Sequence, residues 1–112
     1  MNLVYTFRLR DPWECAAGAG GGAAWSRRFN RPTGIDPGHE LWLIVTDLPA
    51  GAQVTVNGQR VDSHSDSHGG PFRIHDLVNE RGNQIGIVDP AAPPADGRFP
   101  YEAQLGIVAP AE

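Results

Sequence analysis

The strongest constraint on this chain is a period-two alternation running through residues 41–88, interrupted at short intervals by turn residues. Val54 and Val56 alternate with Gln53 and Thr55, and the run stops at Asn57-Gly58. Asn-Gly after an alternating apolar run is a strong hairpin signal, because both residues tolerate the positive φ that a two-residue turn demands. Phe72 and Ile74 then alternate with Arg73 and His75. After a turn over residues 80–83, Ile85 and Ile87 alternate with Gln84 and Gly86. Successive strand side chains point to opposite faces, so each run has one face to bury and one to leave in water. The block predicts antiparallel strands with one face covered.

The remaining segments follow the same rule. Residues 2–10 set Leu3, Tyr5, Phe7 and Leu9 against Val4, Thr6, Arg8 and Arg10, a strand ended by Asp11-Pro12 because proline lacks the ladder N–H. Residues 15–24 are a Gly/Ala tract. It lacks the Lys-Ser or Lys-Thr of a phosphate-cradling loop, and its composition predicts a flexible loop. In the strand over 25–30, turning both Trp25 and Phe29 to the core places Arg27 between them on the same side. That predicts a buried Arg27 paired with Asp76 or Glu102, or else a bulge that re-aims it.

Residues 39–47 are apolar on both faces through Leu41, Trp42, Leu43, Ile44 and Val45, which marks a central strand covered on two sides. Residues 62–70 read as a polar loop and the proline-rich 91–100 as an extended connection. The last strand carries Tyr101, Ala103, Leu105 and Ile107 on one face, before a frayed tail at 109–112. About seven or eight one-sided strands and no convincing helix predict an all-β, antiparallel two-sheet sandwich.

Composition narrows the function classes. The 112 residues, 40% hydrophobic and 20% charged, suit a single soluble domain over 1–112. A net charge of -4 argues against a nucleic-acid partner, since phosphates call for a basic face. Arg27, Arg28 and Arg31 form a small basic spot, expected to be ion-paired surface. Cys15 is the single cysteine, so no internal disulfide forms. The first residues alternate instead of showing the basic start and apolar run of a signal peptide, and no segment is apolar enough to cross a bilayer. The expectation is a cytoplasmic protein with no membrane partner, or a periplasmic one if a leader has been removed.

Several motifs then occur in a specific order. Trp25-Ser-Arg-Arg-Phe29, the apolar strand at 41–45 and Ala52-Gln-Val-Thr-Val-Asn-Gly58 are followed by His68-Gly69-Gly70-Pro71-Phe72, Asp76-Leu77-Val78 and Gly82-Asn83-Gln84-Ile85. In that order they resemble the N-terminal jelly-roll domain of β-galactosidase and β-glucuronidase type glycosidases, within the galactose-binding-domain-like superfamily. The resemblance covers roughly residues 25–88. The turn at Asp76 is shorter than that family's Asp-Ile-Thr segment, Gly82 directly abuts Asn83, and the 112 residues include no catalytic barrel. What the resemblance implies is a jelly-roll β-sandwich that is not itself catalytic, because those glycosidases carry their acid and nucleophile on a separate barrel. Relatives elsewhere in the superfamily bind sugars through loops at one end of the sandwich. By that analogy loops 30–39 and 62–70 are the expected binding loops.

His64-Ser-Asp66-Ser-His68 is the most site-like cluster, with two imidazoles and a carboxylate that suit Zn²⁺, and with His75 and His39 as further ligands by tertiary approach. Asp62 and Asp66 offer a thin set for Ca²⁺. A solvated loop explains the same residues through turn geometry, and no second dense ligand cluster exists, so no cofactor or metal is expected. Sugar binding asks for an exposed aromatic face with polar groups around it. Trp13, Trp25 and Trp42 are the large aromatics, with His64, Asp66, His68 and Arg73 as polar neighbours. Trp13 is the one expected outside the core, because it follows a strand-ending Asp-Pro.

Ser63, Ser65, Asp66 and His68 share one flexible loop and no nucleophile elbow, so an enzyme is not expected. Two functions follow. The first is a non-catalytic carbohydrate-binding or accessory module, with Trp13, His64, Asp66, His68 and Arg73 at the site. The alternative is a structural or protein-interaction domain with no small ligand, forming a homo-oligomer through an edge strand or the outer face of the Trp42 strand.

Overall fold

A computed structural model describes residues 2–10, 12–62 and 71–110. Nine strands make up the described chain: β1 (Asn2–Arg8), β2 (Glu14–Ala17), β3 (Ala23–Phe29), β4 (Glu40–Thr46), β5 (Gln53–Val56), β6 (Gln59–Val61), β7 (Phe72–Arg73), β8 (Asn83–Asp89) and β9 (Glu102–Ala109). All pairings are antiparallel, and the described residues contain no α-helix. One sheet has four strands in the order β1-β9-β4-β7, the other five in the order β2-β3-β8-β5-β6.

One apolar cluster lies between the two sheets, as in a sandwich. Leu41, Leu43 and Val45 from β4 and Ala103, Leu105 and Ile107 from β9 meet Trp25, Phe29, Val54, Val56, Ile85 and Ile87 of the other sheet. These are the inward positions of the period-two pattern, and each fully buried Leu, Ile or Val contributes about 1.5–3 kcal/mol. The hairpin forms at Asn57-Gly58, whose φ values of 53° and 80° give the mirror-image turn that matches strand twist.

Among the described residues Asn83 is the one uncharged polar residue that is buried, and it is fully buried. Its amide donates to the Asn79 carbonyl (2.8 Å), while its side-chain oxygen accepts from the Asn79 N–H (2.7 Å) and from Asn57 Nδ2 (2.9 Å). Asn57 also donates to the Leu77 carbonyl and accepts the Gln84 N–H. Two asparagines thereby tie the β5–β6 turn and the 77–79 segment to the start of β8.

Both ends of the Gly/Ala tract are paired strand where a loop was expected. Glu14–Ala17 forms β2, which runs against Ala23–Ser26 of β3, and a tight turn closes the pair with Gly20 and Gly21 at positive φ. Side chains this small leave nothing to bury, so the hairpin is carried by its backbone ladder, a contribution that composition does not reveal. This strand brings the count to nine, above the seven or eight expected.

In β1 a register shift between Leu3 and Tyr5 breaks the expected single face. Tyr5 and Phe7 stand opposite Ile107 and Leu105 on the core-facing side, while Leu3 stands opposite Val108 on the outer side. β3 has no bulge at Arg27; its guanidinium reaches the carbonyls of Arg10 (2.7 Å) and Arg28 (2.9 Å). The two carboxylates expected for it are engaged elsewhere, Glu102 by Arg8 and Asp76 by Arg73. Ala109 belongs to β9, and of the tail expected at 109–112, residues 111 and 112 lie outside the described residues. β4 buries its inner face fully, whereas Trp42 and Ile44 on the outer face are half-buried.

Two substitutions test this account. Asn83→Ala strands the Asn79 and Asn57 groups and is expected to cost about 2–3 kcal/mol, read as a lower urea midpoint with unchanged slope. A parent-like midpoint would contradict the junction. Gly22 is buried, and a Cβ there would lie 2.2 Å from the Asp89 carbonyl oxygen. Gly22→Ala is expected to lose about 1–3 kcal/mol by overpacking, and a neutral result would mean that the β2–β3 turn sits elsewhere.

Candidate functional site

The best-organised polar constellation lies where β4 meets β7. Leu43 pairs with Phe72 and Trp42 with Arg73. Directly opposite residues share a face, so Phe72 enters the core while Arg73 lies beside Trp42 on the outer face. Just beyond, the Ile74 N–H donates to the Leu41 carbonyl, and the Leu41 N–H donates to His75 Nδ1 (3.1 Å). Those two bonds hold the register of a strand only two residues long.

Arg73 is clamped between two carboxylates. Its Nε and Nη2 reach Glu40 Oε2 at 2.9 and 2.7 Å, and its Nη1 reaches Asp76 Oδ2 at 2.6 Å. Glu40 also accepts a hydrogen bond from Trp42 Nε1 (3.3 Å). The Arg73 bonds hold both carboxyls below their ordinary values, for Glu40 against an opposing effect of partial burial, and the two carboxylates raise the guanidinium further above its own. A cleft of about 450 Å³ adjoins the cluster, lined by Arg60, Asp62, Arg73, Asp76 and neighbours from β6. The arrangement offers charged donors and acceptors, fixed in direction, around a half-buried indole.

Of the residues expected at a site, the structure brings Arg73 into this cluster. His64, Asp66 and His68 lie outside the described residues. Trp13 is a correction: it is 8% exposed, not projecting. Its ring stacks on Phe99 at a centroid distance of 3.9 Å, and its Nε1 donates to the Leu9 carbonyl. A core this small needs large aromatics to fill the end where the chain crosses between sheets, and that demand captures Trp13. His75 is held to the backbone at Nδ1, and among the described residues no three of His, Cys, Asp and Glu gather in a metal-holding group.

Of the second expected loop, residues 63–70 lie outside the described residues, and only the strand ends leading into the two loops are compared. The 30–39 loop leaves β3 at Phe29, opposite Asn83 at the start of β8. The chain reaches 62 from Val61, which is level with Val54 and hence with Ile87 near the end of β8.

A second cleft, about 400 Å³, lies at the Trp13 end between Arg8, Arg10, Trp13, Phe99, Tyr101 and Glu102. Burial and a hydrogen bond to the Asp89 carboxylate push the Tyr101 hydroxyl up to about 12. Tyr101 and Asp89 thereby fasten β8 to the segment preceding β9, and Trp13 closes the floor.

Glu40 was not singled out by sequence. The signal was there: Glu40 and Trp42 are two residues apart on one strand, hence on one face, but Arg73 joins them only through strand pairing. Compared with known proteins, the chain matches no family model, no curated protein and no solved structure.

The depressed carboxyls make the Arg73 cluster pH-dependent. A lowered folded pKa stabilises above the unfolded values, near 4.5 for Glu40 and 3.8 for Asp76, and that contribution disappears as pH falls through the folded values. Arg73→Gln is therefore expected to melt a few degrees below the parent near neutral pH. The gap should close in acid. A gap independent of pH would show that Arg73 acts by packing and not by charge.

Proposed function

We propose that this protein is a non-catalytic carbohydrate-binding or accessory module of jelly-roll, galactose-binding-domain-like architecture. On this reading it holds a saccharide against the outer face of the four-stranded sheet at Trp42 and Arg73. The observation that carries the proposal is the Arg73 guanidinium, fixed between Glu40 and Asp76 directly across from Trp42. A pyranose presents a C–H face and a rim of hydroxyls. An indole accepts the first, while a guanidinium and carboxylates donate to and accept from the second.

Because ion pairs already hold the polar groups, binding costs little further ordering of side chains. A cleft borders Arg73 and Asp76 on the side toward β6, and it leaves room for a ring that extends past the Trp42 face. Antiparallel sheets of four and five strands support the jelly-roll assignment, as does the motif order over residues 25–88. The reading needs no catalytic group. Of the site expected from sequence this reading keeps Arg73, takes Trp42 in place of Trp13 and adds Glu40 and Asp76, while His64, Asp66 and His68 lie outside the described residues.

A glycan array probed with the intact chain, with and without added Ca²⁺ or Zn²⁺, is the direct test. Retention of at least one glycan class is expected, and Trp42→Ala and Arg73→Gln should each weaken it by about tenfold or more while the fold is kept. No retained glycan under any condition removes the function. Undiminished binding by both variants removes the site.

A further inference from the structure

Each sheet has two edges, and three of the four edge strands are blunted. β7 is two residues long, β6 is three with Gln59 and Arg60 exposed, and β2 bears Glu14 and otherwise only Cys and Ala. β1 is seven residues long and exposed at every position. Leu3 (42%), Val4 (54%), Tyr5 (59%) and Phe7 (37%) are four of the five exposed large hydrophobics among the described residues. The strand has no proline and no lysine, the usual guards of an open edge. Its single charge, Arg8, faces Glu102 of β9 at 3.4 Å.

One hydrogen bond shows which peptide groups face the open side. The Leu9 N–H donates to the Ala103 carbonyl (2.8 Å), which makes that pair a bonded pair of the antiparallel ladder. Bonded pairs recur every second residue, so Phe7–Leu105 and Tyr5–Ile107 are bonded too. Thr6 and Arg8 therefore turn their N–H and C=O groups away from β9, toward an edge that no other described strand pairs.

We propose that β1 pairs antiparallel with β1 of a second copy of this chain across a two-fold axis at Thr6, joining the two four-stranded sheets into one of eight. In that register each Thr6 exchanges both backbone hydrogen bonds with Thr6 of the partner subunit. Tyr5 falls opposite Phe7 of the partner subunit in a non-bonded pair, the geometry that brings side chains closest. Tyr5 and Phe7 already touch within one copy, with ring centroids 4.7 Å apart, so the seam becomes a row of four rings on the core-facing side.

Charge and area both favour a second copy as the occupant. With Arg8 already facing Glu102, the two edges approach without uncompensated like charges. The exposed fractions of the four apolar residues correspond to roughly 350 Å² per copy. Doubled, and with the backbone, Thr6 and the flanking side chains added, this reaches the low end of stable interfaces, about 1,200 Å². The inference does not depend on the carbohydrate reading. If both hold, five strand spacings separate the two copies of β4, placing the Trp42 sites about 24 Å apart on one continuous face.

Sedimentation velocity on the intact chain at ~100 µM tests it. The expected species has twice the 12.0 kDa protomer mass and dissociates on dilution. Thr6→Pro removes the outward N–H at the two-fold while sparing the bonded pairs to β9, and Tyr5→Lys brings two like charges to the seam. Both variants are expected to be monomeric with the parent's circular dichroism. A monomeric parent overturns the proposal, as does a dimer that survives either variant. If Thr6→Pro fails to fold, Tyr5→Lys decides alone, since that side chain stands mostly in water and its replacement leaves the core untouched.

Discussion

The arrangement depends first on the buried Asn83 amide. A two-sheet core of this size is held by non-directional burial, which rewards any register that hides the same apolar faces. Asn83 is different because a buried amide is tolerated only in the arrangement that satisfies it. Its bonds to Asn79 and Asn57 pin the five-stranded sheet at one end. They also anchor the 77–79 segment, which leads back through Asp76 and His75 to β7. A one-residue slip of β8 would strand these groups and turn Ile85 and Ile87 outward, so polar and apolar penalties act together.

The same junction gives two distinctive sequence positions, Asn57 and Asn83, a structural role. Asn57 and Asn83 read as turn formers in the sequence. Asn57 does serve the turn, with φ at 53°, but its side chain also bridges three segments. Such residues report on architecture. The residues argued to meet a ligand lie instead at Glu40, Trp42 and Arg73, where a pattern of inward apolar positions imposes nothing on side-chain type.

The apolar period was legible because burial acts on single residues: Val54, Val56, Phe72, Ile74, Ile85 and Ile87 are all buried as their alternation requires. The hairpin at Asn57-Gly58 was legible because positive φ is a local cost. What escaped depends on more than one segment. β2 is a strand by virtue of β3, since Ala and Gly have no preference strong enough to announce it. Trp13 lies inside because Phe99, far along the chain, supplies a ring to stack on. Arg27 turns its guanidinium to the Arg10 and Arg28 carbonyls, while the two carboxylates considered for it are each engaged by another arginine, a choice that depends on three separate segments. Within the site, Arg73 was visible as a polar residue beside a strand, whereas Glu40 became relevant only once β4 and β7 were paired.

β4 shows how fold and site constrain each other. Its odd-numbered residues, Leu41, Leu43 and Val45, fill the core, and its even-numbered ones, Glu40 and Trp42, build the outer cluster. Because the period is two, no residue of this strand serves both purposes. The relation between the faces rests on pairing with β7, whose two residues supply little intrinsic preference for one register. Burial of Phe72 and Ile74 sets the parity, and the bonds from Leu41 to Ile74 and His75 set the position. Once both hold, Arg73 must stand opposite Trp42 and within reach of Glu40. The outer cluster is thus a consequence of core packing together with two backbone hydrogen bonds. Its own ion pairs, between groups about a third or more exposed, tune the corner without determining it.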